Sequence, residues 1–96
     1  MVLELRGTNG ADVLFGTDAE EYITAEDGND YVTGGGANDT VYGSFGNDTL
    51  FGNQLRDDLY GGTGSDMLFG GQGTDTIRGG LGEDRLYGNL GDDLMF

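Results

Sequence analysis

The eighteen residues GGTGSDMLFGGQGTDTIR, Gly61 to Arg78, contain one nine-residue phrase said twice: Gly, Gly, any, Gly, any, Asp, any, large apolar, any. Each phrase divides into a six-residue glycine-rich turn that ends in a carboxylate, Asp66 or Asp75, and a three-residue strand with one apolar anchor, Leu68 or Ile77. Counting outward in nines, everything from Gly7 to Phe96 falls into register without insertion or deletion, which gives ten copies.

The eighth column reads Leu14, Ile23, Val32, Val41, Leu50, Leu59, Leu68, Ile77, Leu86 and Met95, apolar throughout. Side chains alternate along a strand, so one inward residue per three-residue strand predicts a thin stacked core, with positions seven and nine facing out. The turns are too short for a helical crossover. Successive strands are therefore expected to alternate between two parallel sheets, two repeats forming one coil. The fold class is all-β, a solenoid of five coils, about 24 Å long at the usual strand spacing.

The sixth column reads Asp12, Glu21, Asp30, Asp39, Asp48, Asp57, Asp66, Asp75, Asp84 and Asp93, an acid every time. With alternate turns stacked on opposite edges, the odd repeats form one carboxylate ladder and the even repeats the other. Carboxylates about 5 Å apart repel by roughly 1–3 kcal/mol per pair. A cation midway would lie ~2.4 Å from each, inside the calcium range of about 2.3–2.6 Å and beyond the roughly 2.0–2.1 Å of magnesium. Two carboxylates cannot fill six places, so turn carbonyls should supply the rest, aimed inward by conformations that glycine permits. The competing reading is that these acids are only turn formers, a role Asp suits. Ten in phase, in a chain of net charge −14, weigh against it.

The phrase resembles the calcium-binding nonapeptide of the RTX family, G-G-x-G-x-D-x-U-x with U large and apolar. GGTGSDMLF and GGQGTDTIR match in full, as does GGLGEDRLY at Gly79 to Tyr87, and the resemblance covers residues 7–96. It implies a right-handed parallel β-roll whose calcium ligands are the sixth-position Asp of stacked turns together with turn carbonyls. Carried onto this chain, those carboxylates are Asp12, Asp30, Asp48, Asp66 and Asp84 on one edge and Asp39, Asp57, Asp75 and Asp93 on the other. The matching turn glycines are Gly10, Gly28, Gly46, Gly61, Gly62 and Gly64, then Gly70, Gly71, Gly73, Gly79, Gly80, Gly82 and Gly91. The resemblance further implies about four to eight Ca²⁺ ions, a secreted parent protein with further domains, and export without an N-terminal signal peptide followed by folding outside the cell.

Composition points the same way. The chain has 96 residues, 18 Asp and Glu against four Arg, 21 glycines, and neither Lys, His nor Cys. So acidic and glycine-rich a sequence predicts disorder unless something cancels the charge. No disulfide or thiolate–metal staple is available, which leaves a hard cation. Seven divalent ions would neutralise −14, and four sites on each edge would make eight. Without Lys, an acidic surface excludes nucleic acid as a partner. The lack of His and Cys removes zinc-protease motifs, histidine-based triads and a thiol nucleophile, so no enzymatic role is expected. No apolar run is long enough to span a membrane, and no basic region followed by a long apolar run opens residues 1–6, so neither a membrane span nor a signal peptide is expected there.

The copies are not equal. Fourth-position glycine holds in the odd repeats, whereas the even repeats read Ala19, Ala37, Leu55, Gly73 and Gly91. Arg56 beside Asp57 is a built-in cation expected to replace calcium in part, and Glu21 is one methylene longer than its counterparts. On these grounds four ions are expected on the odd edge, tightest at Asp48/Asp66 and Asp66/Asp84. On the even edge Asp75/Asp93 is the secure site, Asp39/Asp57 and Asp57/Asp75 are weaker, and Glu21/Asp39 is weakest.

Two further features remain. The ninth column carries Phe15, Tyr42, Phe51, Tyr60, Phe69, Tyr87 and Phe96, expected either as a ladder of stacked rings or as a docking face of an adhesin-like or ice-binding-like module. The third and fifth columns are irregular, which argues against flat-surface matching to ice. Residues 1–6, with Val2, Leu3 and Leu5 around Glu4, form an opening strand before the roll of residues 7–96. Phe96 ends the last repeat without a polar cap, as expected of a fragment or of a chain that self-associates through its last coil.

Overall fold

The computed structural model describes residues 3–96, so the part of the opening strand assigned to Val2 lies outside the described residues. Eleven short strands follow one another: β1 (Leu3–Arg6), β2 (Val13–Phe15), β3 (Glu21–Thr24), β4 (Tyr31–Thr33), β5 (Thr40–Tyr42), β6 (Thr49–Asn53), β7 (Asp58–Tyr60), β8 (Met67–Gly71), β9 (Thr76–Arg78), β10 (Arg85–Tyr87) and β11 (Leu94–Met95). They alternate between two parallel sheets, as the nine-residue period requires. Strands β1, β3, β5, β7, β9 and β11 form a six-stranded sheet, and β2, β4, β6, β8 and β10 a five-stranded one. Each strand pairs with the one eighteen residues on, for example Leu14 with Val32, Val32 with Leu50 and Leu50 with Leu68. The result is an all-β parallel solenoid of about five turns, a flattened slab of 30 × 28 × 15 Å.

The eighth column is the core. Ile23, Val32, Val41, Leu50, Leu59, Leu68 and Ile77 are wholly buried, one per strand. Towards the ends the expectation weakens: Leu14 and Leu86 are only partly buried, and Met95, in the last strand, is half exposed. Leu5, nine residues before Leu14, pairs with Ile23 and packs on the same column, so β1 prolongs the repeat rather than merely covering it.

The ninth column forms rows of rings on the two outer faces. Phe51, Phe69 and Tyr87 stack at 4.7 and 4.8 Å with planes within 7° of parallel, and Tyr42 stacks on Tyr60 at 4.7 Å. Tyr31 and Tyr22, from the seventh column, lengthen the two rows. Arg78 takes the ring's place between Tyr60 and Phe96, its guanidinium 5.9 and 4.5 Å from their centroids. Such contacts contribute roughly 0.5–1.5 kcal/mol per ring pair beyond area burial.

Fourth-position turns need a left-handed backbone. Gly46, Gly64 and Gly82 have φ of 101°, 103° and 107°. Ala37 and Leu55 hold the same turn at 65° and 70°, so loss of glycine does not break the even edge; it strains it, at about 1–2 kcal/mol per residue. Leu55 is 57% exposed and has little packing to lose. Leu55→Gly is therefore expected to stabilise the folded chain by about 1 kcal/mol, read as a higher urea midpoint at saturating calcium. An unchanged or lower midpoint would show the turn to be unstrained.

Candidate metal site

The sixth-position acid ends each turn where the chain enters a strand, so its side chain points back into the turn stack. Asp30, Asp39, Asp48, Asp57, Asp66 and Asp75 are at most 3% exposed. Each reaches across to the preceding turn on its own edge. Oδ1 of Asp48 accepts the backbone N–H of Asp30 at 2.9 Å, and Oδ1 of Asp66 accepts that of Asp48 at 2.8 Å. Oδ1 of Asp84 accepts the N–H of Asp66 at 2.9 Å. On the other edge, Asp57, Asp75 and Asp93 receive the N–H groups of Asp39, Asp57 and Asp75, each at 2.8 Å. The two ladders inferred from the repeat are thus real, and every rung is tied to its neighbour by a side chain to backbone bond.

One oxygen per rung is left over. Oδ2 of Asp30, Asp39, Asp48, Asp57, Asp66 and Asp75 is buried without any hydrogen-bond partner. A buried carboxylate oxygen without a donor is costly, and an unneutralised buried ion costs several kcal/mol. Six in two rows are hard to reconcile with the roughly 5–15 kcal/mol total stability of a small domain unless cations or protons compensate them.

Electrostatics record the same strain. Burial, then repulsion from the next carboxylates on the ladder, pushes Asp39 and Asp48 up to about 7, against the pull of their backbone N–H bonds. Burial drives Asp57 up to about 8, with Asp39 and Asp75 adding to it, and raises Asp66 and Asp75 to about 6. Asp30 is also raised, chiefly by burial.

Backbone oxygens join these carboxylates at the first-position glycines. A Cβ built on Gly61 would lie 2.6 Å from Asp66 Oδ2 and 2.6 Å from the carbonyl oxygen of Gly79 one turn on. At Gly43 the corresponding distances are 2.6 Å to Asp48 Oδ2 and 2.8 Å to the Gly61 carbonyl. The absent side chain keeps open the space that faces one anionic and one neutral oxygen. All-oxygen donors of this kind suit a hard cation such as calcium. Among the described residues no three acidic side chains converge, so carbonyls must complete any coordination shell.

Two expectations change. Arg56 is exposed and makes no ion pair with Asp57, whose Oδ2 stays unpartnered; among the described residues the one ion pair joins Arg6 to Glu26 at 3.7 Å. Arg56 fails to reach because the fifth position points out of the turn, where its backbone N–H instead bonds Asn38 Oδ1 at 2.9 Å. Contrast between sites runs along the axis as well as between edges. In the first turn of each edge the acid is already satisfied: Thr8 gives Asp12 its backbone N–H at 2.6 Å and its hydroxyl at 2.9 Å, and Thr17 does the same for Glu21 at 2.8 and 2.6 Å. Gly10 and Ala19 in those turns lack the positive φ of their later counterparts. The signal was a threonine at position two, where later repeats have Gly, Asn, Ser or Glu.

The fifth column, irregular by composition, still contains a second ladder. Asn29 Oδ1 accepts the N–H of Asn47 at 2.8 Å, and Asn47 Oδ1 that of Ser65 at 2.7 Å. These bonds need no metal, and they run in the opposite sense to the aspartate bonds. Asparagine at both Asn29 and Asn47, eighteen residues apart, was the readable sign.

No helix among the described residues is long and apolar enough to cross a membrane. Comparison with curated proteins and with solved structures gives no match. Comparison with family profiles does: the profile of the RTX calcium-binding nonapeptide repeat, four copies long, matches residues 4–32, 15–50, 24–59, 51–85 and 60–95. Overlapping matches along nearly the whole chain, on a parallel solenoid edged by aspartate ladders, make this protein a member of the RTX calcium-binding nonapeptide repeat family.

Proposed function

We propose that this calcium-binding β-roll is a calcium-dependent folding module of a secreted RTX-type protein, without catalytic chemistry of its own. The observation that carries the reading is the double row of buried, unpartnered Asp Oδ2 atoms. Asp39, Asp48, Asp57, Asp66 and Asp75 would hold the ions, with Asp84 and Asp93 contributing at the last turns and first-position carbonyls such as those of Gly61 and Gly79 completing the shells. Calcium supplies positive charge between rungs that otherwise repel. The chain's own residues contribute the rest: the Oδ1 bonds set the spacing of the turns, the glycines keep the space open, and the aliphatic column excludes water.

Because the turns that form the site do not exist in the unfolded chain, binding energy is folding energy. Affinities of extracellular grade, on the order of 10⁻⁴–10⁻³ M, would leave the chain unfolded in a cytosol and fold it outside the cell. The test is far-UV circular dichroism during a calcium titration with magnesium as control. Conversion from coil to β structure by calcium alone is expected. Full β structure in chelator at pH 8, where most ladder carboxylates are charged, would overturn the reading and leave the aspartates as turn residues. The docking-face alternative is less well supported, because the ninth-column rings are largely taken up in stacking on one another.

A further inference from the structure

The first position is glycine in every repeat but the third, where Ala25 stands. Ala25 keeps the register of its neighbours. Its N–H donates to the Tyr42 carbonyl at 2.8 Å, just as Gly43 and Gly61 donate to Tyr60 and Arg78 at 2.8 Å. It is wholly buried. A methyl at the equivalent point of Gly43 or Gly61 would stand against the free oxygen of that turn's own aspartate and the carbonyl of the next turn. In the third repeat that methyl is present, and at the equivalent place in the turn the aspartate is Asp30.

Asp30 is otherwise built like the others. Its Oδ1 accepts the Asp12 N–H at 2.8 Å, its own N–H reaches Asp48 Oδ1 at 2.9 Å, and its Oδ2 is buried and unpartnered. Everything a rung needs is in place except open space before the free oxygen. One turn below, Asp12 is bonded by the Thr8 N–H and hydroxyl. We infer that the Ala25 side chain closes the Asp30 rung to calcium, so that the ion column on this edge starts at Asp48. This rests on the calcium reading above. It makes Ala25 a residue that sets how many ions the chain takes, and it leaves the first odd turns to be held by hydrogen bonds and by the core.

The test counts calcium ions on the full chain by native mass spectrometry and by equilibrium dialysis at saturating calcium, with magnesium adducts subtracted. Ala25→Gly removes the methyl group from the blocked space, a net loss of one carbon and two hydrogens, and is expected to take up one more calcium than the parent. Gly61→Ala introduces the same methyl at an open rung and is expected to take up one fewer, with Gly43→Ala serving instead if that chain does not fold. An Ala25→Gly chain that binds the same number as the parent overturns the inference, as does a folded Gly61→Ala or Gly43→Ala chain that loses no ion. A parent chain that takes up no calcium overturns the calcium reading itself, and the inference with it, so the two failures are told apart.

Discussion

Acidifying a calcium-free solution of this chain from pH 8 to pH 4.5 is expected to raise its β content towards that of the calcium-bound form. The aspartates responsible are those whose folded-state affinity for a proton is raised, with Asp39 and Asp48 at about 7, Asp57 at about 8, and Asp66 and Asp75 at about 6, against an ordinary value of 3.8. The folded state therefore binds more protons than the unfolded one between roughly pH 4 and 8, and in that window stability falls as pH rises. The contribution is fully present below the unfolded value and is gone once pH exceeds the highest folded value. Protons and calcium answer the same need here, since either removes the net charge of an oxygen that has no donor. Circular dichroism in chelator across this range provides the check. A chain that remains coil at pH 4.5 while folding in calcium at pH 7 would mean that neutralising the ladder is insufficient and that the bridging of turns by an ion is what folds it.

Leu59→Ala is expected to destabilise the calcium-saturated roll by about 3–4 kcal/mol, lowering its urea midpoint steeply or preventing folding altogether. Leu59 is wholly buried at the middle of a column one side chain thick, between Val41 and Ile77 on its own sheet. A globular core can relax around such a hole from several directions. This one is fenced above and below by parallel strands whose spacing is set by hydrogen bonds, so the cavity has little means of collapse. The same truncation at Met95, half exposed at the end of the column, should cost well under half as much. Equal costs at the two positions would mean that the column is not the continuous core described.

The sequence alone determined the period, and from the period most of the fold. A nine-residue phrase with one apolar and one acidic position, repeated without a gap, leaves no room for helices. It forces strands of three or so residues to alternate between two sheets, and so places Asp48 over Asp30 and Leu68 over Leu50 before any coordinates exist. It also showed that the chain carries far more negative charge than its core can offset. The tertiary structure decided what each turn does with its acid. That Thr8 and Thr17 satisfy Asp12 and Glu21, that Arg56 points away from Asp57, and that Leu55 can hold a glycine's turn at φ 70° all depend on where one turn lies relative to the next. Position-by-position reading treats Ala for Gly as a small change. Only when the turns are stacked does the space before an aspartate's free oxygen come into view, bounded at Gly43 and Gly61 by that turn's own Asp and by the carbonyl eighteen residues on.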